Sequence, residues 1–392
     1  MLNTTFSPWP SFSEQEADAV KKLLLSNKVN YWTGTECREF EKEFACWAES
    51  SYAVAVANGT LALELALIAL GVGEGDEVIT TPRTFLASAS SIVTAGATPV
   101  FADVDINSQN ITAESIRSVI TDKTKAVIVV HLAGMPAEMD EIMSLSKEHD
   151  FYVIEDCAQA HGARYKGKSV GSIGHIGAWS FCQDKIMTTG GEGGMVTTSD
   201  ESLWKRMWAY KDHGKSYDSI YHRKHPPGFR WLHDSFGTNW RMMEFQAVIG
   251  RIQLRRIDEW TKQRQKNGAA INAAVEDIDL VRCVNIPDYI EHAEYKHYLF
   301  VNRHLLSDGW TRDRIIEEIN ALGVPAYHGS CSEVYLEKAF DNTLFRPNSR
   351  LSNAVQLGEE SLMFLVHPTL TEQEIGETCR VVHDVLRKAS GL

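Results

Sequence analysis

Residues 155–162, with the sequence Glu-Asp-Cys-Ala-Gln-Ala-His-Gly, follow directly on the apolar run Phe-Tyr-Val-Ile at 151–154. A short apolar run that stops at paired carboxylates is typical of a buried strand that ends at the ligand-binding edge of a sheet. Ser180 and Lys185 come next in the chain, just before a glycine-rich segment at 190–194. We therefore expect these carboxylates, the hydroxyl and the lysine to meet in one cleft.

Similar apolar runs alternate with amphipathic segments of helical length on the N-terminal side of this stretch. Such an alternation predicts an α/β fold, in which a mostly parallel sheet is covered by helices on both faces. The expected strands are 53–57, 77–81, 98–104, 126–130 and 151–155, with 177–182 and 195–198 extending the sheet. The expected helices between them are 60–70, 84–95, 113–120 and 136–149.

The C-terminal third has a different pattern. A long helical period at 242–266 leads out of the sheet and is followed by a strand at 298–301 and a helix at 312–322. A last helix opens with the capping box Thr371–Glu374 and runs to about residue 388. We expect a large domain at 1–250, with an N-terminal arm, and a smaller α+β domain at 251–392. The aperiodic segment 215–237 is predicted to be a long ordered loop.

The composition is that of a soluble globular protein, since 44% of the 392 residues are hydrophobic and 23% are charged. A net charge of −13 disfavours nucleic acid and anionic membranes as partners. The N-terminus lacks a basic segment followed by an apolar run, and no stretch is long and apolar enough to span a bilayer. Seven cysteines, never spaced C-x-x-C, indicate a reducing compartment. We expect a cytoplasmic protein that acts on a small molecule.

Three patterns that bind nucleotides or metals elsewhere do not fit here. The glycines at 71–75 follow a helix and precede a strand, the reverse of a dinucleotide-binding fingerprint. The segment 190–194 lacks the Gly-Lys-Ser/Thr ending of a P-loop. The His222–His225 segment, and Cys157 with His161, have no second pair of ligands at metal-binding spacing. We predict neither an ATP site nor a metal site.

The trio Asp156, Ser180 and Lys185 offers what pyridoxal 5'-phosphate chemistry requires. A carboxylate keeps the pyridine nitrogen protonated, a hydroxyl binds phosphate, and a lysine forms a Schiff base with the aldehyde. Taken singly, Asp156 would more often cap a turn, and Lys185 would more often be a surface lysine. Their combination and order favour the cofactor interpretation.

Three further segments have both a functional and a structural interpretation. Gly59 and Thr60 follow a strand and open a helix, so they either present N–H groups to a phosphate or simply form an ordinary helix start after Asn58. Gln159 either contacts the cofactor ring or lies in a solvated turn. Phe85 either stacks on the ring or packs in the core at a helix start.

In these motifs the chain resembles the DegT/StrS family of nucleotide-sugar aminotransferases, which have the aspartate-aminotransferase-like fold of pyridoxal phosphate enzymes (fold type I). The resemblance implies a three-layer α/β/α large domain and a smaller α+β C-terminal domain, and it covers nearly the whole chain. It is carried by WTG at 32–34, FEKEFA at 40–45, ANGTLAL at 57–63, DCAQAHG at 156–162, WSF at 179–181, Lys185, GEGG at 191–194 and GTNWRM at 237–242.

The resemblance implies that Lys185 is the catalytic Schiff-base lysine. It also implies that Asp156 partners the ring nitrogen, that Gln159 lies against the ring, and that Phe85 stacks on it. One branch of the family has histidine at the lysine position and deoxygenates sugars, so the lysine favours amine transfer.

The same resemblance implies a phosphate site made by Gly59, Thr60 and Ser180. Asn239 matches an asparagine that reaches the phosphate of the neighbouring subunit's cofactor. The active unit is therefore expected to be a homodimer with two shared active sites.

The reaction implied is transfer of the amino group of L-glutamate to a nucleotide-linked keto-deoxyhexose, with the cofactor alternating between pyridoxal and pyridoxamine phosphate. A 4-keto-6-deoxyhexose is favoured, for the biosynthesis of lipopolysaccharide O-antigen, another polysaccharide or a glycosylated product. A 3-keto sugar or a cyclitol is the alternative acceptor. A regulatory protein that keeps the fold is disfavoured, because the lysine, the aspartate and the phosphate residues are all present.

Candidate substrate contacts come from three places. His161 lies beside the cofactor motif. Arg230 belongs to the basic and aromatic segment 217–236, which would contact a diphosphate and base or else form the dimer interface. Tyr327 and His328 lie where the small domain is expected to face the cleft.

Overall fold

A computed structural model describes residues 5–391. The strands lie largely where the sequence predicts them, although the strand expected at 98–104 ends at Phe101. In chain order they are β1 Tyr52–Val56, β2 Glu77–Thr80, β3 Thr98–Phe101, β4 Thr124–Val130, β5 Tyr152–Asp156, β6 Arg164–Tyr165, β7 Lys168–Ser169, β8 Ile176–Ser180, β9 Gly194–Thr198, β10 Val281–Cys283, β11 Ile290–Glu291, β12 His297–Val301, β13 Ala326–Tyr327 and β14 Ser361–Phe364.

The central sheet has seven strands in the order β1-β9-β8-β5-β4-β2-β3. Neighbouring strands from β8 to β3 are parallel, whereas β9 runs antiparallel to both β1 and β8. The register places Asp156, the last residue of β5, opposite Val130 of β4 and Ala178 of β8. The expected mostly parallel α/β sheet is thus confirmed, and the predicted carboxylate lies at its carboxyl edge.

Thirteen α-helices pack around the sheets of the described chain, and none of these helices is long and apolar enough to cross a membrane. In chain order they are α1 Glu14–Leu25, α2 Glu36–Trp47, α3 Gly59–Ala69, α4 Ala87–Thr94, α5 Ala113–Arg117, α6 Met139–His149, α7 Glu201–Tyr210, α8 Tyr217–Tyr221, α9 Glu244–Leu254, α10 Ile257–Ala274, α11 Arg312–Ala321, α12 Ser352–Glu360 and α13 Glu372–Ser390.

Both faces of the central sheet are buried. Successive side chains on a strand point to opposite faces, so Val54 packs in the core on the α3 and α7 side while its neighbour Ala55 packs on the α2 side. Ile128 and Val129 of β4 are divided between the two faces in the same way. Because water reaches neither face, the strands consist of nearly continuous apolar runs, as the sequence shows.

The C-terminal part of the chain builds a second sheet, which is antiparallel and has the strand order β10-β12-β14-β13. Its core is formed with α10, α11 and α13 and includes Leu299, Ile315, Phe364 and Val382. Thr371 caps α13 and forms the predicted capping box with Glu374. The smaller α+β unit is present, while the domain boundary at residues 250 and 251 stays a prediction, since both lie within α9.

Between the two sheets, one expectation is wrong and a second is incomplete. The single helix predicted for 242–266 is the pair α9 and α10, separated at Arg255 and Arg256. No glycine or proline marks the break, and the apolar period continues across it, which is why the sequence predicts one helix. The loop predicted for 215–237 contains the short helix α8, capped by the side chain of Ser216.

Candidate active site

A cavity of about 510 Å³ opens at the carboxyl ends of β1, β5 and β8. Open α/β sheets place ligand sites at this edge, because the loops that follow parallel strands converge there. Seven of the residues predicted from the sequence line this one cavity. They are Gly59, Thr60, Phe85, Asp156, Gln159, Ser180 and Lys185.

One end of the cavity is built to receive an anion. Helix α3 begins at Gly59, and the side chain of Asn58 accepts a hydrogen bond from the Leu61 N–H at 3.0 Å. The early N–H groups of a helix have no partner within the helix and bind phosphate readily. The Ser180 hydroxyl lies against the same turn, so close that a Cβ on Gly59 would be 2.5 Å from the Ser180 Cβ. This arrangement fits the phosphate of pyridoxal phosphate.

Gly59→Ala is expected to weaken cofactor affinity at least tenfold, because the added methyl group would push Ser180 or the helix start out of the phosphate site. Titration of the apoprotein with pyridoxal phosphate measures this loss. Gly73→Ala is the matched control, since a Cβ there would meet only the Ala95 carbonyl oxygen at 4.0 Å. Equal affinities for the Gly59 variant and the unchanged protein would contradict the assignment.

Asp156 is the buried acid of the cavity. Its Oδ2 accepts a hydrogen bond from the Ser88 hydroxyl at 2.8 Å, and its Oδ1 accepts one from the Ala158 N–H at 3.1 Å. Burial raises the pKa of this carboxyl above its ordinary value, although the Ser88 bond acts in the opposite direction. Among the described residues it forms no ion pair. A protonated pyridine nitrogen would supply the missing cation, so the residue fits the role predicted for it.

Lys185 projects from the connection between β8 and β9. Its Nζ lies 3.8 Å from Asp184 Oδ1 and 5.2 Å from the ring centroid of Tyr295. Its backbone is held from both sides, since its N–H donates to the Cys182 carbonyl at 3.1 Å and its carbonyl accepts from the Trp9 indole at 2.8 Å. Only 15% of the side chain is exposed. The backbone is thus held in place where the side chain enters the cavity.

Asp184, which lies beside this amine, is itself held by Tyr295. The Tyr295 hydroxyl donates a short hydrogen bond to Asp184 Oδ2. Burial alone would raise the pKa of Asp184, but the nearby Lys185 and this hydrogen bond bring the pKa below its ordinary value. The acid is therefore a stable anion beside the lysine.

The other two predicted cofactor contacts lie on the cavity wall and rim. Gln159 is buried, and its Oε1 accepts a hydrogen bond from the Ala133 N–H at 2.8 Å. This bond leaves the amide NH₂ as the group that Gln159 can offer to a ligand. Phe85 stands at the rim with 71% of its surface exposed, so it is not the core aromatic of the structural interpretation.

His161 must be reassigned from a substrate contact to a core residue. It is fully buried, and its ring lies 5.3 Å from the Trp179 ring and 5.7 Å from the Phe181 ring without reaching the cavity. Burial and the charges of Lys185 and Arg264 lower its pKa to about 3, so the ring is neutral. Adjacency to the motif in sequence does not decide which way a side chain points.

A second cavity of about 520 Å³ adjoins the first and shares Thr84, Phe85, Gln159, Asp184 and Lys185 with it. Tyr327 lines this second cavity, as predicted for a residue of the C-terminal part. His328 does not; its ring is exposed and lies 3.2 Å from Asp313. The remaining lining residues are Leu86, Tyr295, Lys296, Tyr298, Gly329, Ser330, Cys331, Val334, Glu337, Met363 and Leu365.

Arg83 connects the two parts of the chain at this second cavity. Its guanidinium is fully buried and donates to Gln109 Oε1 at 3.0 Å, to the Ser332 hydroxyl at 2.8 Å and to the Ser361 hydroxyl at 2.7 Å. Burial lowers its pKa, and its hydrogen bonds are made with neutral oxygens. Arg83 thereby holds the 330–332 loop against the segment that carries Phe85.

Asn239 and Arg230 do not join the cavities of this chain. Asn239 is exposed and pairs through its backbone with Asp212, and Arg230 lies in the exposed segment that follows α8. Large aromatic side chains are exposed in the same region: 81% of Phe229, 81% of Trp231 and 99% of Phe236. The Phe229 and Trp231 rings contact each other, with their centroids 5.5 Å apart, and exposed apolar patches of this kind mark interaction surfaces.

One buried group of His131, Glu155 and Cys157 has ligand atoms close enough together to hold a metal. The hydrogen bonds account for it otherwise. The Ala137 N–H donates to His131 Nδ1, so the Nε2–H is left to donate to Glu155 at 3.0 Å. Glu155 also accepts three backbone N–H groups from residues 171–174. The group therefore anchors a loop behind the site.

Sequence reasoning missed two sets of residues at the site. Thr84 and Ser88 form a hydroxyl chain to Asp156, with their oxygens 2.8 Å apart. Their spacing of four residues in a segment predicted to be helical was the available signal. Tyr295 and Lys296 arrive from the C-terminal part, and no local pattern points to them.

Residues 10–384 match the model of the DegT/DnrJ/EryC1/StrS aminotransferase family. A solved aminotransferase from Psychrobacter cryohalolentis is 63% identical and superposes with a TM-score of 0.97, covering 98% of this chain and 99% of that one. GDP-perosamine synthase of Caulobacter vibrioides is 36% identical over 96% of this chain and 97% of the relative. UDP-N-acetyl-3-dehydro-alpha-D-glucosamine 3-aminotransferase of Acidithiobacillus ferrooxidans is 34% identical over 98% and 96%.

Proposed function

Because the chain belongs to the DegT/DnrJ/EryC1/StrS aminotransferase family, whose members depend on pyridoxal phosphate, we propose that it aminates a nucleotide-linked keto-deoxyhexose with glutamate as donor. A 4-keto-6-deoxyhexose is the favoured acceptor, and its product would enter lipopolysaccharide or another polysaccharide. The observation that carries the proposal is the single cavity in which the anion site, the buried acid and the lysine come together.

The residues have separate tasks in this proposal. When bound, pyridoxal phosphate supplies an aldehyde for the amino group and a ring that accepts electrons. Gly59, Thr60 and Ser180 hold its phosphate, and Asp156 keeps a proton on the ring nitrogen. Lys185 Nζ would take the proton from the α-carbon of glutamate and pass it to the cofactor, and in the second half of the cycle it would take a proton back from the cofactor and give it to the sugar carbon.

A 3-keto sugar is the second candidate acceptor. The perosamine synthase, at 36% identity, is named for a GDP-linked sugar. The 3-aminotransferase, at 34% identity, is named for a UDP-linked sugar and for amination at position 3 of the ring. The two are almost equally similar to this chain, so both positions belong in the substrate panel.

The visible absorption spectrum of the holoenzyme tests the proposal. Glutamate should remove the band of the pyridoxal form, and a keto sugar nucleotide should restore it. The acceptor panel should contain 4-keto and 3-keto sugars linked to GDP, UDP and dTDP. A cofactor that binds but does not respond to glutamate would overturn the assigned donor, and recovery with a 3-keto sugar alone would overturn the favoured acceptor.

We also propose that two chains form a homodimer in which Asn239 and the segment around Arg230 complete the partner's site. Their exposure, together with that of Phe229, Trp231 and Phe236, supports an interface here. Asn239 is exposed and does not line the cavity of its own chain, which supports a role in the other one.

Mixing Lys185→Ala and Asn239→Ala chains is expected to restore activity that neither variant has alone. If equal amounts of the two chains exchange at random, half of the dimers contain one chain of each kind. Each mixed dimer has one intact site and one inactive site, so about a quarter of the normal activity should return. Native mass spectrometry of differently tagged chains confirms the exchange. A mixture no more active than the mean of its components would contradict shared sites.

A further inference from the structure

The second cavity contains one cation that the roles above leave unused. Among the residues that line it, only Lys185 and Lys296 carry a positive charge, and the acids are Asp184 and Glu337. Most of the other lining groups are apolar or aromatic. A ligand oxyanion that enters this cavity therefore has few places to bind.

Lys296 lies between two fixed pieces of backbone. The N–H of the preceding residue, Tyr295, donates to the Ala133 carbonyl at 2.9 Å, and the following residue, His297, begins β12 and pairs with Phe364. The lysine Nζ lies 4.9 Å from the Tyr295 ring centroid. Its position relative to Lys185 is therefore set by the fold rather than by a mobile loop.

The ammonium of Lys296 has no hydrogen bond and no ion pair with any residue from 5 to 391. Nearby acids are engaged elsewhere: Asp184 by Lys185 and the Tyr295 hydroxyl, and Glu294 by His297 at 3.1 Å. Burial, Arg264 and Lys185 lower the pKa of Lys296 to about 8, against the effect of Asp184. Lys296 is half-buried, and a partly desolvated cation without a protein acceptor is typical of a ligand-binding group.

We propose that the Lys296 ammonium binds an oxyanion of the substrate, a carboxylate or a phosphate, while the reacting carbon lies beside Lys185 Nζ. This inference rests on the proposed function. Glutamate carries carboxylates and a sugar nucleotide carries phosphates, and in a two-stage amine transfer both occupy the same site in turn. The shared chemistry is a charge-assisted hydrogen bond in a partly desolvated cavity.

Lys296→Met removes the charge and keeps an unbranched side chain of similar length, and Lys296→Arg restores a cation. Lys338→Met is the matched control, because this lysine is exposed and lies just beyond the cavity residue Glu337. Calorimetry on the holoenzymes measures binding of 2-oxoglutarate as the donor probe and of nucleoside diphosphates as the acceptor probe. Spectral titration with glutamate gives the concentration for half-conversion.

Lys296→Met is expected to weaken the binding of at least one probe about tenfold or more. Lys296→Arg should recover this affinity, and Lys338→Met should leave it unchanged. Weaker binding of 2-oxoglutarate identifies the donor carboxylate as the anion, and weaker binding of the diphosphate identifies the acceptor phosphate. If Lys296→Met binds both probes as tightly as the unsubstituted enzyme does, and the unsubstituted enzyme shows the expected spectral change with glutamate, this inference alone is overturned. An unsubstituted holoenzyme that neither responds to glutamate nor binds either probe overturns the proposed function and this inference with it.

Discussion

Lys185→Ala should lower the rate of amine transfer by at least about 10³-fold, because proton transfer by a positioned group alone contributes 10²–10⁴-fold. The Lys185 backbone is held by the Cys182 carbonyl and the Trp9 indole, and no other described amine lies in the first cavity to replace that of Lys185. Single-turnover spectra with glutamate, recorded with the cofactor in excess, measure the loss directly.

The fold should survive this substitution. The Lys185 side chain forms only a loose 3.8 Å pair with Asp184, while the phosphate site lies on α3 and β8. Cofactor should therefore still bind, without a covalent link. Lys42→Ala is a control with an exposed lysine on α2. Undiminished turnover by Lys185→Ala, or a melting temperature many degrees lower, would contradict the role assigned to the lysine.

Asp156→Asn should reduce the rate of the glutamate half-reaction by roughly 10²–10⁴-fold. The amide keeps the size of the carboxylate but cannot hold a proton on the ring nitrogen, and breaking a buried charge pair costs about 3–5 kcal/mol. Most of the loss should appear in the rate rather than in the glutamate concentration needed for half-conversion. Stopped-flow spectroscopy of the holoenzyme separates these two quantities.

Ser88→Ala is the matched control for Asp156→Asn. It removes the 2.8 Å hydrogen bond to Oδ2 but leaves the negative charge, so its effect on the rate should be less than about tenfold. If the Ser88 variant were as slow as the Asp156 variant, the hydrogen-bond chain through Thr84, rather than the charge, would be the essential feature.

The region from β5 to Lys185 could be predicted from the sequence because two independent signals coincide there. The apolar run locates a buried strand, and the residues at its end carry chemistry that only a cleft would use. The structure brings Asp156, Gln159, Ser180 and Lys185 to one cavity, as that reasoning expects. Their catalytic roles stay predictions until the variants are measured.

What the sequence could not show depends on contacts between distant segments. The break before α10 has no glycine or proline, and a helical period cannot reveal a bend that tertiary packing imposes. His161 was misjudged because a turn after β5 directs its ring into the aromatic core. Lys296 lines a cavity together with residues from the N-terminal part of the chain, and Arg83 donates a hydrogen bond to Ser332 in the C-terminal part. No local sequence pattern indicates such long-range contacts.

The direction of β9 determines whether the segment that carries Lys185, residues 181–193, can tolerate an insertion or a deletion. Because β8 and β9 are adjacent and antiparallel, residues 181–193 form a loop that leaves the sheet at one strand and re-enters it at the neighbouring strand. Within this loop the Thr188 hydroxyl donates a hydrogen bond to the Phe181 carbonyl at 2.9 Å. An inserted or deleted residue would shift the amine directly, since neither end can move to absorb it.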